Sequence, residues 1–296
     1  MDNNLSDLTV VIVTFKTDRT ILKNCLSSIN NNVKILIVEN SKEFINKEEI
    51  EREYNNVKII CSGSNLGMGS GNNFGLKNTF TKYALILNPD IICDNSFFSN
   101  IQKYLKGNID FSIIGTQYND NSIYKPAGFF SSKKKNKEIN FNIQELTPVE
   151  WVVGCSFLIN LKNFENKEIF DENFFLFFEE FDLCKKLKRE GEKVYSSSKL
   201  IVNHFGFKSS TDFTDEIDLI KIRNWHYMWS YFYYHKKNEG YFNALKVSFG
   251  KLIRSLFKLI LFTIIFNKKK RTNYCYRFLG LLNSMIGKKS SYRINS

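Results

Sequence analysis

The sequence predicts an α/β fold, a mostly parallel, doubly wound sheet flanked by helices, followed by a basic, aromatic and mainly helical tail. Short β-branched runs alternate with segments of helical spacing through the first half. The early strands end in polar residues, which would line one edge of the sheet. The charge is uneven: residues 216–296 carry 16 Lys/Arg against 3 Asp/Glu, while the first 215 residues hold 26 and 27. Strand–helix alternation with short loops is the pattern of a parallel sheet covered on both faces.

The run at 9–15 (Thr-Val-Val-Ile-Val-Thr-Phe) predicts a buried strand, and 20–29 has helical spacing at Ile21, Leu22, Cys25, Leu26 and Ile29. A second strand is expected at 33–38, ending in Glu39-Asn40-Ser41, then a helix at 48–54 and a third strand at 57–61. A helix at 72–81 leads to a fourth strand at 84–87, which stops at Asn88-Pro89-Asp90. A proline just past an apolar run ends the strand ladder, and Asn-Pro-Asp is turn chemistry. In an open α/β sheet, ligands bind beyond the carboxyl ends of the strands, so Asp90 is addressed to a ligand-binding edge.

The middle is less regular: a helix at 97–105, an exposed lysine-rich loop at 131–145, and an apolar run at 151–159 broken by Gly154. An amphipathic helix at 179–190 is closed by Gly191, and short strands are expected at 194–195 and 200–202. From 217 onward the chain reads as helical. The division expected is a catalytic domain over 1–215 and a helical region over 216–296.

The six cysteines form no CxxC pair and no zinc spacing, as free core thiols do in a reducing compartment. The polar, acidic opening (Met-Asp-Asn-Asn-Leu-Ser-Asp) has no basic stretch followed by an apolar one, so a secretory signal is not expected and the location expected is cytoplasmic. The longest near-apolar run, 259–266, is far short of the ~20 residues that span a bilayer. No module for nucleic acid is recognisable.

Residues 65–75 (Asn-Leu-Gly-Met-Gly-Ser-Gly-Asn-Asn-Phe-Gly) hold four glycines between a strand and a helix. Glycines allow close approach of backbone to ligand, and a helix N-terminus attracts anions. The loop lacks the Lys-Ser/Thr of a Walker loop and the acidic partner of a dinucleotide fingerprint.

Asn65-Leu66-Gly67, Gly71-Asn72-Asn73, Gly75 and Leu87-Asn88-Pro89-Asp90, taken in order, resemble the rhamnosyltransferase-like branch of the family 2 glycosyltransferases. The likeness continues through Gly154–Ile159, then Phe170–Phe175 followed by Phe178–Cys184, and His204-Phe205-Gly206 with Ser209. It spans about residues 9–215. The resemblance implies a GT-A fold, a nucleotide-diphosphate sugar donor, a divalent metal and inversion at the sugar carbon. By position, Thr14, Phe15 and Glu39 would line the base pocket, although the family's usual residue at 39 is Asp. Asn65, Gly67 and Asn72 would contact nucleotide and diphosphate. Asp90 would hold the metal, with Asn88 where the family's first Asp stands, and His204 would be a further ligand. Mg²⁺ binds through few carboxylates plus phosphates and water, and Mn²⁺ also accepts imidazole. The general base would come from Glu179, Glu180 and Asp182; Glu180 holds the position of the family's base, with Asp182 and Glu179 as alternatives. At helical spacing 179 and 182 share a face, while 180 projects about 100° away.

The function expected is inverting, metal-dependent transfer of a sugar such as rhamnose, from a dTDP- or UDP-sugar, to a growing surface glycan, with a lipid-linked acceptor in view. Alternatives are an inactive sugar-nucleotide-binding or scaffold protein of the same fold, and a nucleotidyltransferase. The tail, with Lys246, Lys251, Arg254 and Lys258 among Leu, Ile and Phe, then Lys268–Arg271, reads as a helix for an anionic membrane surface, giving a peripheral location on the inner face of the plasma membrane. The alternative is a helical hairpin with a solvated basic face.

Overall fold

The computed structural model describes residues 4–107, 109–120, 123–126, 128–129, 145–164, 168–204 and 216–293. The lysine-rich loop (except Glu145), Phe205-Gly206 and Ser209 lie outside these. The chain divides into two compact units: Met1–Leu66, Ser70–Phe170 and Leu183–Asp212 form the first, and Gly67–Gly69, Asp171–Asp182 and Phe213–Ser296 the second.

The first unit is built on a mixed sheet. Its parallel half contains β1 (Leu8–Thr14), β2 (Lys34–Glu39), β3 (Val57–Cys61) and β4 (Tyr83–Leu87), in the order β3-β2-β1-β4. Every residue of β1 is buried. Its side chains alternate between two cores, as a strand covered on both faces requires. Val10 and Ile12 pack in one cluster with Leu22, Ile50 and Phe97; Val11 packs in the other with Leu76, Ile86 and Leu183. These apolar positions come from α1 (Arg19–Ser27), α2 (Lys47–Glu53) and α4 (Phe97–Lys106) on the first face, and from α3 (Met68–Lys77) and α5 (Glu179–Arg189) on the second. Asp18 starts α1 by accepting the Thr20 and Ile21 N–H groups, an N-cap that satisfies otherwise orphaned donors.

The chain runs outward from β1 to β2 to β3, then returns to place β4 on the other side of β1. The gap between the carboxyl ends of β1 and β4 is therefore a topological switch point. Thr14, Glu39 and Cys61 share one row along that edge by register.

Beyond β4 the sheet becomes mixed. After β5 (Ile91–Cys93) and β6 (Ile113–Asp120) come four short strands, β7 (Ile123–Pro126), β8 (Gly128–Phe129), β9 (Leu146–Pro148) and β10 (Trp151–Val152). β11 (Ser156–Asn160) lies antiparallel between β4 and β6, and β12 (Val194–His204) joins β6 in parallel and β5 antiparallel. The sequence reading gave no strand at 91–93 or 113–120 and split β12 into two short pieces. The split follows from Ser196-Ser197-Ser198-Lys199, polar residues that carry no apolar signal and sit at a register shift between Ser196 and Ile201.

The second unit is carried by three helices, α6 (Glu216–Glu239), α7 (Tyr241–Ile264) and α8 (Lys268–Met285), as the helical spacing of the tail predicts. Their shared core is Met228, Phe232, Ala244 and Leu281. Gly280 permits the closest approach: a Cβ there would lie 2.1 Å from the Trp225 carbonyl oxygen. Among the described residues, no helix is long and apolar enough to cross a membrane.

Candidate functional site

Donor-side candidates in the first unit cluster at the switch-point edge. The Thr14 hydroxyl donates to one Glu39 carboxylate oxygen at 2.6 Å, and the Lys16 backbone N–H donates to the other at 3.2 Å. Both Thr14 and Glu39 are buried. Lys16 has φ 48°, a left-handed turn just past β1, and Glu39 holds that turn while keeping lone pairs for a ligand donor. Phe15 is half-buried at the same turn, with the Lys16 ammonium 5.6 Å from its ring centroid. The Asn40 N–H donates to Thr14 O at 2.8 Å, so the ends of β1 and β2 are tied by backbone and side chain.

The glycine-rich stretch is not a loop over its whole length. α3 starts at Met68, four residues before the expected start, so Gly69, Gly71 and Gly75 lie inside the helix. A Cβ on Gly75 would stand 2.6 Å from Val11 Cγ1 and 2.9 Å from Val38 Cγ2; one on Gly71 would stand 2.9 Å from both Val13 Cγ1 and Asn40 Nδ2. These glycines seat α3 against β1 and β2. Asn72 is 3% exposed, and its Oδ1 has no hydrogen-bond partner among the described residues. Asn73, which sequence reasoning assigned no role, is the structural amide: it donates to Phe170 O at 2.8 Å and accepts the Ile169 and Phe170 N–H groups. Asn65 is half-buried before the helix. In the second unit, Gly67 has φ 88°, and a Cβ there would lie 2.2 Å from Phe175 O, which accepts the Met68 N–H at 2.9 Å.

Asn88-Pro89-Asp90 is a turn, closed by the Ile91 N–H donating to Asn88 O at 3.2 Å. Asp90 is 4% exposed at its exit. The next three residues are β5, whose pairing with β12 sets His204 opposite Ile91. Two residues 114 apart in sequence are thus brought to one edge by strand register. The His204 side chain lies outside the described set. Among the described residues no group of three or more metal-ligating side chains occurs. One buried carboxylate suits a hard cation that takes its remaining ligands from phosphate and water. A cavity of about 790 Å³ in the first unit is lined by Asn24, Ser28, Asn30, Asp94 and Phe98 among others, and none of the candidate residues lines it.

The acidic candidates fall in the second unit. Phe177 and Phe178 precede them with φ 70° and 71°, a left-handed pair that non-glycine residues adopt only when the surroundings hold it. Leu176 O accepts the Ser230 hydroxyl at 2.9 Å, and the Phe178 ring lies 5.5–5.9 Å from Tyr227, Tyr231 and Tyr234. Glu179 and Asp182 share one face, as the helical spacing predicts, and that face is buried, while Glu180 is half-exposed. Both Asp182 oxygens are engaged: Lys237 donates to Oδ2 at 2.6 Å and Asn238 to Oδ1 at 2.9 Å. Lys237 also bridges to Asp171 at 2.7 Å, and the Tyr233 hydroxyl donates to that same oxygen at 3.0 Å. Glu179 differs. Burial, then the charge of Glu180, pushes its carboxyl up to about 8. Sequence reasoning missed Lys237 and Asn238, because nothing local in a helix 55 residues away marks them as partners of Asp182.

Solved structures share this fold. They include GalNAc-T7 with UDP, GalNAc and Mn²⁺ (TM-score 0.57, 12% identity, covering 77% of this chain and 50% of that one) and the mannosyltransferase PcManGT from Pyrobaculum calidifontis with GDP-Man and Mn²⁺ (TM-score 0.54, 10% identity, 94% and 86%). At such identities they show the fold alone, and it is GT-A. By sequence the chain is similar to the low-salt glycan biosynthesis hexosyltransferase Agl10 of Haloferax volcanii, 26% identical over 205 residues, and to the rhamnosyltransferase WbbL of Escherichia coli K12, 24% identical over 212 residues. The match covers 63% of this chain and 63% of the former, and 64% and 78% for the latter. The glycosyl transferase family 2 model matches residues 9–164, more than half of the chain, and the protein belongs to that family.

Proposed function

We propose that this chain is an inverting glycosyltransferase that moves a sugar from a nucleotide-diphosphate donor, a dTDP- or UDP-sugar, to a glycan acceptor at a membrane surface, with a lipid-linked acceptor and rhamnose as the reading the family branch favours. The observation that carries it is the buried Asp90 at the carboxyl edge of β4, beside the switch point, with His204 brought opposite Ile91 by register. In this reading Thr14, Phe15 and Glu39 receive the base, and Asn65, Gly67 and Asn72 receive ribose and diphosphate. The buried, unpartnered Asn72 Oδ1 supports a polar ligand there. Asp90 and His204 would hold Mn²⁺ or Mg²⁺, which when bound neutralises charge developing on the leaving diphosphate.

Glu180 is the proposed base. A base must be deprotonated to accept the acceptor hydroxyl proton, and Glu179, pushed up to about 8, keeps its proton at neutral pH. Asp182, with both oxygens held by Lys237 and Asn238, positions the helix start instead. The acceptor oxygen then attacks the anomeric carbon from the face opposite the diphosphate, the C–O bond to the diphosphate breaks, and no protein nucleophile is needed.

Thermal shifts over a panel of UDP-, GDP- and dTDP-sugars with Mn²⁺ test donor choice. A donor at 100 times its Kd adds about 2.7 kcal/mol of stability. Stabilisation by no member of the panel overturns the donor assignment.

A further inference from the structure

From Gly240 to Ser296 the chain contains 12 Lys/Arg and no Asp or Glu. Within this stretch α7 is two-faced. Ala244, Ser248, Ser255 and Phe262 are buried. At about 100° per residue they lie on one side, and three of the four are small enough for close helix packing. The opposite side carries Phe242, Phe249, Ile253, Phe257, Ile260 and Ile264, which are 49–84% exposed. A continuous exposed apolar stripe of this size marks an interaction surface rather than ordinary scatter.

Arg254 falls on one flank of the stripe, Lys258 and Lys251 lie farther round toward the packed side, with the Lys251 ammonium 4.7 Å from the Tyr231 ring centroid, and Lys246 lies within the stripe on a stem long enough to carry its ammonium outward. At the end of α7, Ile265 and Phe266 are 54% and 89% exposed and lead into Lys268-Lys269-Lys270-Arg271. A spanning orientation would bury four cations of α7 in hydrocarbon. An in-plane orientation buries the stripe and keeps the cations out of the hydrocarbon, with Lys246 and Arg254 nearest the headgroups. A second copy of the chain is a poor occupant, because an isologous contact over this face would bring two acid-free, basic surfaces together.

We propose that the outward face of α7 is an interfacial membrane anchor that seats about 5–10 Å into an anionic lipid surface, with Lys268–Arg271 supplying attraction to the headgroups. This rests on the membrane-surface reading above and names the residues that carry it.

The test is co-sedimentation of the full chain with vesicles of phosphatidylglycerol and phosphatidylcholine, against phosphatidylcholine alone. The parent is expected to bind the anionic vesicles and to release as salt rises. The variant F249S/I253S/F257S/I260S, changed only at exposed positions and checked by an unchanged melting temperature, is expected to bind at least about tenfold less. The variant K268Q/K269Q/K270Q/R271Q is expected to lose most of the salt dependence. Equal binding of the serine variant and the parent overturns the proposal. So does a parent dimer in analytical ultracentrifugation that becomes monomeric in the serine variant with no vesicle binding by either. Donor turnover in the same preparations separates the two readings: turnover without vesicle binding sinks the anchor and leaves glycosyl transfer standing, and α7-dependent vesicle binding without turnover does the reverse.

Discussion

Glu179 and Glu180 are neighbours with different environments, and the difference follows from helical geometry. Glu179 points inward with Asp182 and is held protonated by burial and by the charge beside it, while Glu180 stays half-exposed. A carboxyl whose folded value rises from its ordinary 4.5 to about 8 contributes stability that is complete below 4.5 and is lost as pH rises through 8. Relative to Glu179→Gln, the parent should therefore lose stability steadily between pH 4.5 and 8, with a final difference on the order of 5 kcal/mol. Denaturant midpoints of both proteins across that window check it; parallel curves would show that Glu179 ionises normally. At this scale much was legible in sequence. The turn at Asn88-Pro89-Asp90 and the shared face of 179 and 182 follow from local chemistry and helical period; that this face points inward does not. The engagement of Asp182 by Lys237 and Asn238 was not legible, because it depends on where α6 packs.

At the scale of elements, the glycines of α3 carry the clearest lesson. Glycine lowers helix propensity, so sequence reasoning delayed the helix to Asn72, whereas tertiary packing starts it at Met68. Gly75 meets Val11 and Val38, both fully buried and unable to move aside. Propensity alone says that Gly75→Ala stabilises by about 1 kcal/mol. The contact distances say that it destabilises by about 1–2 kcal/mol net, since overpacking a tight core costs about 1–3 kcal/mol. The sign of the change in thermal midpoint decides between them. Lys237 ties Asp171 and Asp182 within the second unit. Lys237→Met leaves two largely buried carboxylates without their cation and should cost about 2 kcal/mol, reduced from the fully buried case because the lysine is one-third exposed. A urea titration showing no loss would make the bridge incidental. The parallel strands were readable because buried β-branched runs are unambiguous. β6 and the middle of β12 were not, because Thr116, Gln117, Ser196 and Ser197 are polar residues buried by tertiary pairing.

For the whole molecule, the net charge of +12 is a property of the C-terminal quarter rather than of the sheet. The alternation of the first half predicts the α/β sheet, the family resemblance implies GT-A, and GT-A is the fold shared with the solved structures. The antiparallel half of the sheet brings His204 to the edge that holds Asp90, by pairing it with Ile91. The central claim is sugar transfer from a nucleotide donor, with Asp90 on the donor side and Glu180 as base. The most direct measurement is turnover of the stabilising sugar nucleotide with Mn²⁺ in the parent, Asp90→Ala and Glu180→Gln, with donor affinity measured alongside. The account predicts parent turnover, a loss of roughly a hundredfold or more in Asp90→Ala with metal dependence abolished, and a loss of about 10²–10⁴-fold in Glu180→Gln with donor affinity unchanged. Full turnover in both variants, or donor binding by the parent with no turnover of any sugar nucleotide, would contradict it.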